Sequence, residues 1–268
     1  MTLKRSADLG QTTLLLAAHG SSRPGGQNPV QVLAKSLKAR NLFADVLCGF
    51  LKQPPLLSQI LPQLIAPKLC VIPMLTGHGY ITDELIPEAL LTLSDSTIVN
   101  LCQPIGTTTA VQDIMAERAR SMINDKSLEP DKISILVAAH GNKKNSKNAE
   151  QTHLLADHIE RMLGIATTAA FIEEAPLISD WARSTSSEHL IVLPFLIGGG
   201  LHGAEDVPIM LGLDAENSIL NSLNDDTPFV GPLPAQGRSI WLCRALGHEP
   251  ALADIVLELA AYHEQGNG

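Results

Sequence analysis

The sequence predicts an α/β protein of two duplicated lobes, each a parallel sheet with helices on both faces, with a cleft between the lobes. Three observations carry that expectation. The run Thr13-Leu14-Leu15-Leu16-Ala17-Ala18-His19-Gly20 returns as Ile133-Ser134-Ile135-Leu136-Val137-Ala138-Ala139-His140-Gly141. Such an apolar run reads as a central strand buried on both faces, delivering a histidine to its C-terminal end. Secondly, the register holds: His19 and His140 are 121 residues apart, and the same offset carries Phe50 to Phe171, Pro55 to Pro176, Leu56 to Leu177 and Val71 to Val192. Thirdly, strand-like and helix-like segments alternate through both halves, which is the order of a parallel sheet covered by helices.

The elements follow in order. Residues 1–11 are a lead-in and 13–18 the first strand. Asn28 before Pro29 supplies an N-cap with proline at the first helical position. Val30, Leu33 and Leu37 share a face, which predicts a helix over 29–40. Strands are expected at 44–50, 69–75 and 97–102, helices at 55–64, 84–93 and 109–123, and a loop at 78–83. The second half repeats the order: strand 133–139, helix 146–163, strand 167–172, helix 176–184, strand 189–196, strand 239–243, helix 250–263. Mixed charges, Ser, Asn and Pro130 make 121–132 the expected linker, so the lobes are read as 1–124 and 125–268. From His78 to Cys102 is 24 residues, and from His202 to Cys243 is 41, so the second half carries 17 more. They are placed in an irregular insertion at 214–236, where Gly, Pro, Asn and Asp are scattered.

Composition narrows the class. Apolar residues make up 45% and charged residues 18%, ordinary for a globular protein. A net charge of −9 argues against nucleic acid as a partner. Cys48, Cys70, Cys102 and Cys243 show no Cys-x-x-Cys spacing and lie in or beside apolar runs, so they are expected to be buried reduced thiols in a cytoplasmic protein. No segment reaches the roughly 20 apolar residues that span a bilayer, so no membrane partner is expected; a monomer is expected, with an oligomer as the alternative.

The chemistry sits at the strand ends. A histidine that ends a core strand offers a metal ligand or a base titrating near neutrality. A second histidine follows the third strand of each half, His78 and His202, preceded by glycines (Gly198-Gly199-Gly200 in the second half) and followed by an acidic residue, Asp83 or Asp206. In the second half Glu173 ends the second strand, giving a His140, Glu173 and His202 set suited to a borderline divalent metal. The first half has Lys52 at that register, a cation that would repel a metal. Asp83 and Asp206 read as residues favoured by a helix N-terminus. Ser21, Ser22 and Arg23 after His19, and Lys143, Lys144 and Lys147 after His140, are candidates to receive substrate carboxylates.

Apolar strand, His-Gly-Ser (His-Gly-Asn in the second half), Phe-Leu/Ile-x-x-x-Pro-Leu and Gly-rich turn, His, acidic, Pro together resemble the class II chelatases of tetrapyrrole synthesis. The resemblance is strongest to the sirohydrochlorin cobaltochelatase and ferrochelatase group in its long form of two fused halves. It implies ATP-independent insertion of Co²⁺ or Fe²⁺ into sirohydrochlorin, with no cofactor beyond the substrate metal. Its paired histidines, carried onto His19, His78, His140 and His202, and its glutamate, onto Glu173 alone, bind metal and help take protons from the macrocycle. The resemblance leaves the active lobe open, and the carboxylate favours the second. The alternatives are a metal or tetrapyrrole carrier without turnover, and a zinc-dependent hydrolase.

Overall fold

Buried parallel strands form where the apolar runs predict them. The computed structural model describes residues 9–20, 28–142, 147–198, 206–213 and 227–264. In the first half, β1 (Thr12–Ala18), α1 (Pro29–Ala39), β2 (Asp45–Phe50), α2 (Leu57–Ile60), β3 (Lys68–Pro73), α3 (Ile86–Leu90), β4 (Ile98–Leu101) and α4 (Thr109–Lys126) follow in order. The second half continues with β5 (Ile133–Ala139), α5 (Lys147–Leu163), β6 (Thr167–Phe171), α6 (Trp181–Ser184), β7 (His189–Pro194), α7 (Val207–Met210), β8 (Phe229–Ala235), β9 (Arg238–Cys243) and α8 (Leu252–Glu264).

The first sheet runs β2-β1-β3-β4, all parallel. The second runs β6-β5-β7-β9-β8. Every residue of β1 and of β5 is buried, which is why both strands are mostly apolar rather than alternating, with Thr12, Thr13 and Ser134 as the polar members. Leu15 and Ala17 of β1 and Leu69 and Val71 of β3 pack with Leu57, Leu61 and Ile86 on one face. On α1, Asn28 Oδ1 accepts from Val30 N–H at 2.9 Å, and Val30, Leu33, Ala34 and Leu37 form the buried stripe, as the spacing predicts.

Several expected elements differ. Phe50 N–H donates to Pro55 O and Phe171 N–H to Pro176 O, both at 2.9 Å. These bonds hold Pro55 and Pro176 extended, so α2 and α6 begin later than the helices expected over 55–64 and 176–184. The insertion expected to be irregular over 214–236 contains β8, antiparallel to β9, so the second sheet is parallel with one antiparallel edge strand. Residues 214–226 lie outside the described residues. The linker expected over 121–132 is helical at its start, because α4 runs to Lys126.

The chain divides into two compact units, Met1–Thr108 with Pro250–Gly268, and Thr109–Glu249. The repeat halves 1–124 and 125–268 therefore have other bounds than the packed units, because the last helix of each half packs with the other half's elements. In the first unit α8 lies against α1 and β3. Thr12 Oγ1 donates to Glu264 Oε1 at 2.6 Å, Lys68 Nζ pairs with Glu264 Oε2 at 3.1 Å and Arg40 with Asp254 at 2.6 Å. In the second unit α4 lies against α5 and β7, with His158 Nε2 2.9 Å from Asp113 Oδ1. Val111, Met115, Ala119 and Met122 on α4, and Leu252, Ile255 and Val256 on α8, are the buried stripes that make these contacts possible.

Candidate functional site

The two histidines that end β1 and β5 are held by the same backbone device. Lys52 N–H donates to His19 O, and Glu173 N–H to His140 O, each at 3.0 Å. The hydrogen-bond ladder thus runs one residue past the strand ends, fixing both histidine backbones against the segment after the neighbouring strand. Gly20 and Gly141 follow at φ +76° and +75°, the left-handed region open to glycine. A Cβ on Gly141 would lie 2.8 Å from Glu174 Oε1 and 2.9 Å from Phe171 Cβ. On Gly20 it would lie 2.8 Å from Gln53 Cγ. Gln53 and Glu174 hold the same repeat position.

In the second unit, His140 Nδ1 lies 3.0 Å from Gly141 O and 3.9 Å from Glu173 Oε2. The side chains of His140 and Glu173 are 35% and 54% exposed, enough for a ligand to reach both. Glu174 Oε1 accepts the Asn142 N–H at 2.6 Å. The structure therefore brings together His140 and Glu173 of the expected set. His202, the third member, lies outside the described residues, as do Gly199 and Gly200. Ser21, Ser22, Arg23, Lys143 and Lys144 lie outside them too. Lys147 opens α5 and is exposed.

In the first unit, His78 follows β3 and is exposed, with Nδ1 3.3 Å from Asp83 Oδ1. Asp83 stands in a single π-type turn, Ile81–Leu85, that precedes α3. Thr82 Oγ1 also donates to Asp83 Oδ1, at 2.8 Å. Asp83 stands in the first turn of this helical segment, as expected, and its carboxylate also meets the ring of His78. Lys52 is exposed at the end of β2. Among the described residues, no three His, Cys, Asp or Glu side chains lie close enough to hold a metal ion together.

The role of Glu174 and the contact of Asp83 with His78 escape a reading of the sequence. Glu174 stands beside Glu173 in a loop, where strand alternation no longer tells which side chain faces the ring. Asp83 shares its spacing with ordinary helix starts. Among the other histidines, His153 is exposed on α5 and meets Phe171 edge to face with centroids 5.6 Å apart. Of the four cysteines expected to be buried, Cys70, Cys102 and Cys243 are, whereas Cys48 is half-buried. Cys70 and Cys243 are enclosed; the contact with Cys102 and then burial push the Cys70 thiol up, and burial does the same for Cys243. Among the described residues no helix is long and apolar enough to cross a membrane.

Comparison with known proteins extends this picture. The CbiX family model matches residues 13–122 and again 134–262, one match for each repeat. A probable sirohydrochlorin cobaltochelatase of Halobacterium salinarum is 27% identical over 273 residues, covering 92% of this chain and 90% of that protein. Among solved structures, a Deinococcus radiodurans protein described as multi-domain with structural similarity to chelatases superposes with a TM-score of 0.71 at 22% identity. The match covers 94% of this chain and 55% of that one. CbiX, described as the terminal enzyme for biosynthesis of siroheme in denitrifying bacteria, superposes with a TM-score of 0.68 at 22% identity, covering 92% of this chain and 97% of that one.

Proposed function

Because the chain belongs to the CbiX family, with both halves of the repeat matched, we propose that it is a chelatase that inserts Co²⁺ or Fe²⁺ into sirohydrochlorin without ATP. The observation that carries the reading is the pairing of His140 with Glu173 at adjacent strand ends, Nδ1 to Oε2 3.9 Å apart. The name of the Halobacterium relative supports the substrate and points to cobalt, whereas the denitrifier enzyme is tied to siroheme. Cobalt and iron accept the same imidazole and carboxylate donors, so the donor set does not choose between them.

The chemistry asks for two things. The cation must exchange its water for protein ligands and then for four macrocycle nitrogens, and two pyrrole N–H protons must leave as the metal enters. An imidazole and a carboxylate suit both tasks. Each is a ligand that the macrocycle can replace, and each offers a lone pair to a departing proton. The protein gives up M²⁺ and takes two protons, so charge balances with the doubly deprotonated macrocycle. Substrate carboxylates call for cations near the site. Arg23, Lys143, Lys144 and Lys147 are the candidates by sequence position.

The test is steady-state metallation of sirohydrochlorin with Co²⁺ and Fe²⁺ in turn, with the protein-free rate subtracted. His140→Ala and Glu173→Gln should each lower turnover by about 100-fold or more, the range of a lost general base. Metallation that stops at one equivalent per protein would instead identify a carrier. Loss of turnover in His19→Ala with His140→Ala unaffected would move the working set to the first unit.

A further inference from the structure

One peptide unit joins the ring of His140 to the carboxylate of Glu174. Its carbonyl, Gly141 O, lies 3.0 Å from His140 Nδ1, and its N–H, that of Asn142, donates to Glu174 Oε1 at 2.6 Å. A carbonyl oxygen has no proton to give, so Nδ1 is the donor. The neutral ring is thereby the Nδ1–H tautomer, and the lone pair sits on Nε2.

The C=O and N–H of a trans peptide point in opposite directions. A carboxylate that holds the N–H on one side therefore aims the carbonyl to the other, at the ring. Were this peptide turned over, its carbonyl would face the Glu174 carboxylate and repel it. Its N–H would then face Nδ1, favour a lone pair there and move the proton to Nε2. We propose that Glu174 is a positioning residue that, through the Gly141–Asn142 peptide, presents Nε2 of His140 as the nitrogen that meets the metal and takes the macrocycle's proton. This rests on the chelatase reading. The role is separate from that of Glu173, whose Oε2 lies 3.9 Å from Nδ1 and whose side chain is 54% exposed.

Two further observations fit. Gly141, at φ +75°, has no space for a Cβ against Glu174 and Phe171, so glycine here keeps carboxylate and peptide in contact. At the equivalent place in the first repeat stands Gln53, whose amide oxygen accepts an N–H, that of Asn28 Nδ2, at 3.1 Å. What the two repeats share is a side chain packed against the glycine; in the first the atom beside Gly20 is Gln53 Cγ, and the amide oxygen goes to Asn28.

The experiment combines a tautomer measurement with kinetics. Long-range ¹H–¹⁵N correlation spectra are recorded on protein labelled with ¹⁵N-histidine, at about pH 8, where an ordinary imidazole is neutral. The His140 signal is the one lost in His140→Ala. Wild type should show Nδ1–H. Glu174→Leu should shift the ring toward Nε2–H and lower kcat by about 10-fold, as loss of a partner behind a metal-binding histidine does, with little change in KM for sirohydrochlorin. Glu174→Gln, which still accepts the N–H, should restore the Nδ1–H tautomer and most of kcat.

A wild-type ring protonated on Nε2 overturns the proposal and needs no variant. So does a Glu174→Leu protein that keeps both the tautomer and kcat, or a Glu174→Gln protein as impaired as Glu174→Leu. A wild type that shows Nδ1–H but never turns over sirohydrochlorin overturns the chelatase reading and the catalytic part of the proposal, and leaves the tautomer assignment standing.

Discussion

Gly141 and its counterpart Gly20 each sit where a side chain would strike a neighbour, and both adopt a positive φ. Gly141→Ala is expected to cost about 1–2 kcal/mol from the backbone alone and to push Glu174 from the Asn142 N–H. Both Tm and kcat should fall, by thermal melting and by the metallation assay. Gly20→Ala should lower Tm by a similar amount. The His-Gly pair was legible because it recurs at matching strand ends, which packing alone rarely produces. The reason for the glycine was not, since Phe171 and Glu174 lie more than 29 residues away along the chain. The same distance hides Glu174 from a reading that found Glu173 by register.

The buried thiols make a second expectation at this scale. The folded state holds the Cys70 and Cys243 protons, their acidities being shifted up by the Cys102 contact and by burial. An unfolded thiol releases its proton near about pH 8.5. Above that pH the unfolded chain binds fewer protons than the folded one, so stability falls as pH rises; below it the thiols make no difference. Denaturant midpoints should decline between pH 8 and pH 10, roughly the range where unfolded thiols ionise, and do so less in Cys243→Ala measured against its own value at pH 7. Alkylation of Cys70 should require unfolding.

Among elements, the strands β1, β3, β5 and β7 were the most legible, because burial on both faces leaves unbroken apolar runs. The strand β8 was the least. Gly231, Pro232 and Pro234 read as a loop, yet proline is tolerated at a sheet edge, where an N–H is not needed. The bulge between Val230 and Leu233 also breaks the alternation, leaving Val230, Leu233 and Ala235 inward. At Gln236 and Gly237 the turn has φ +47° and +76°, the signature of a tight hairpin that Asn-Gly would have announced more plainly. From the last residue of β4 and near the end of β9 the chain repeats Leu-Cys-x-x-x-Gly, as Leu101–Gly106 and Leu242–Gly247. Gly106 N–H donates to Leu75 O and Gly247 N–H to Leu196 O, each at 3.0 Å. A Cβ on Gly247 would fall 1.7 Å from Ile197 O, and one on Gly106 2.5 Å from Thr76 O. Gly247→Ala should therefore destabilise by about 3 kcal/mol or more, and Gly106→Ala by less, in equilibrium unfolding.

For the molecule as a whole, the duplication told the number of sheets but not where each packed body begins. A repeat is visible as recurring letters, whereas the choice of which sheet receives a helix depends on contacts with distant residues. Neither the stripe on α4 nor the one on α8 names its partner. Leu252, Ile255 and Val256 of α8 are buried in the first unit. At roughly 1.5–3 kcal/mol for each such side chain, they contribute roughly 5–9 kcal/mol as an upper estimate. That is comparable with the net stability of a whole domain, about 5–15 kcal/mol. A fragment 1–124 is thus expected to show no cooperative melt by circular dichroism, and to gain one on mixing with 125–268. A fragment 109–249 should melt cooperatively alone.

A polypeptide of half this length could cover its sheet in the same way by giving its final helix to a sister copy and taking that copy's in return. Here the trade happens inside one molecule. Joining the copies end to end made it a matter of tether length rather than of concentration, so dilution cannot undo it.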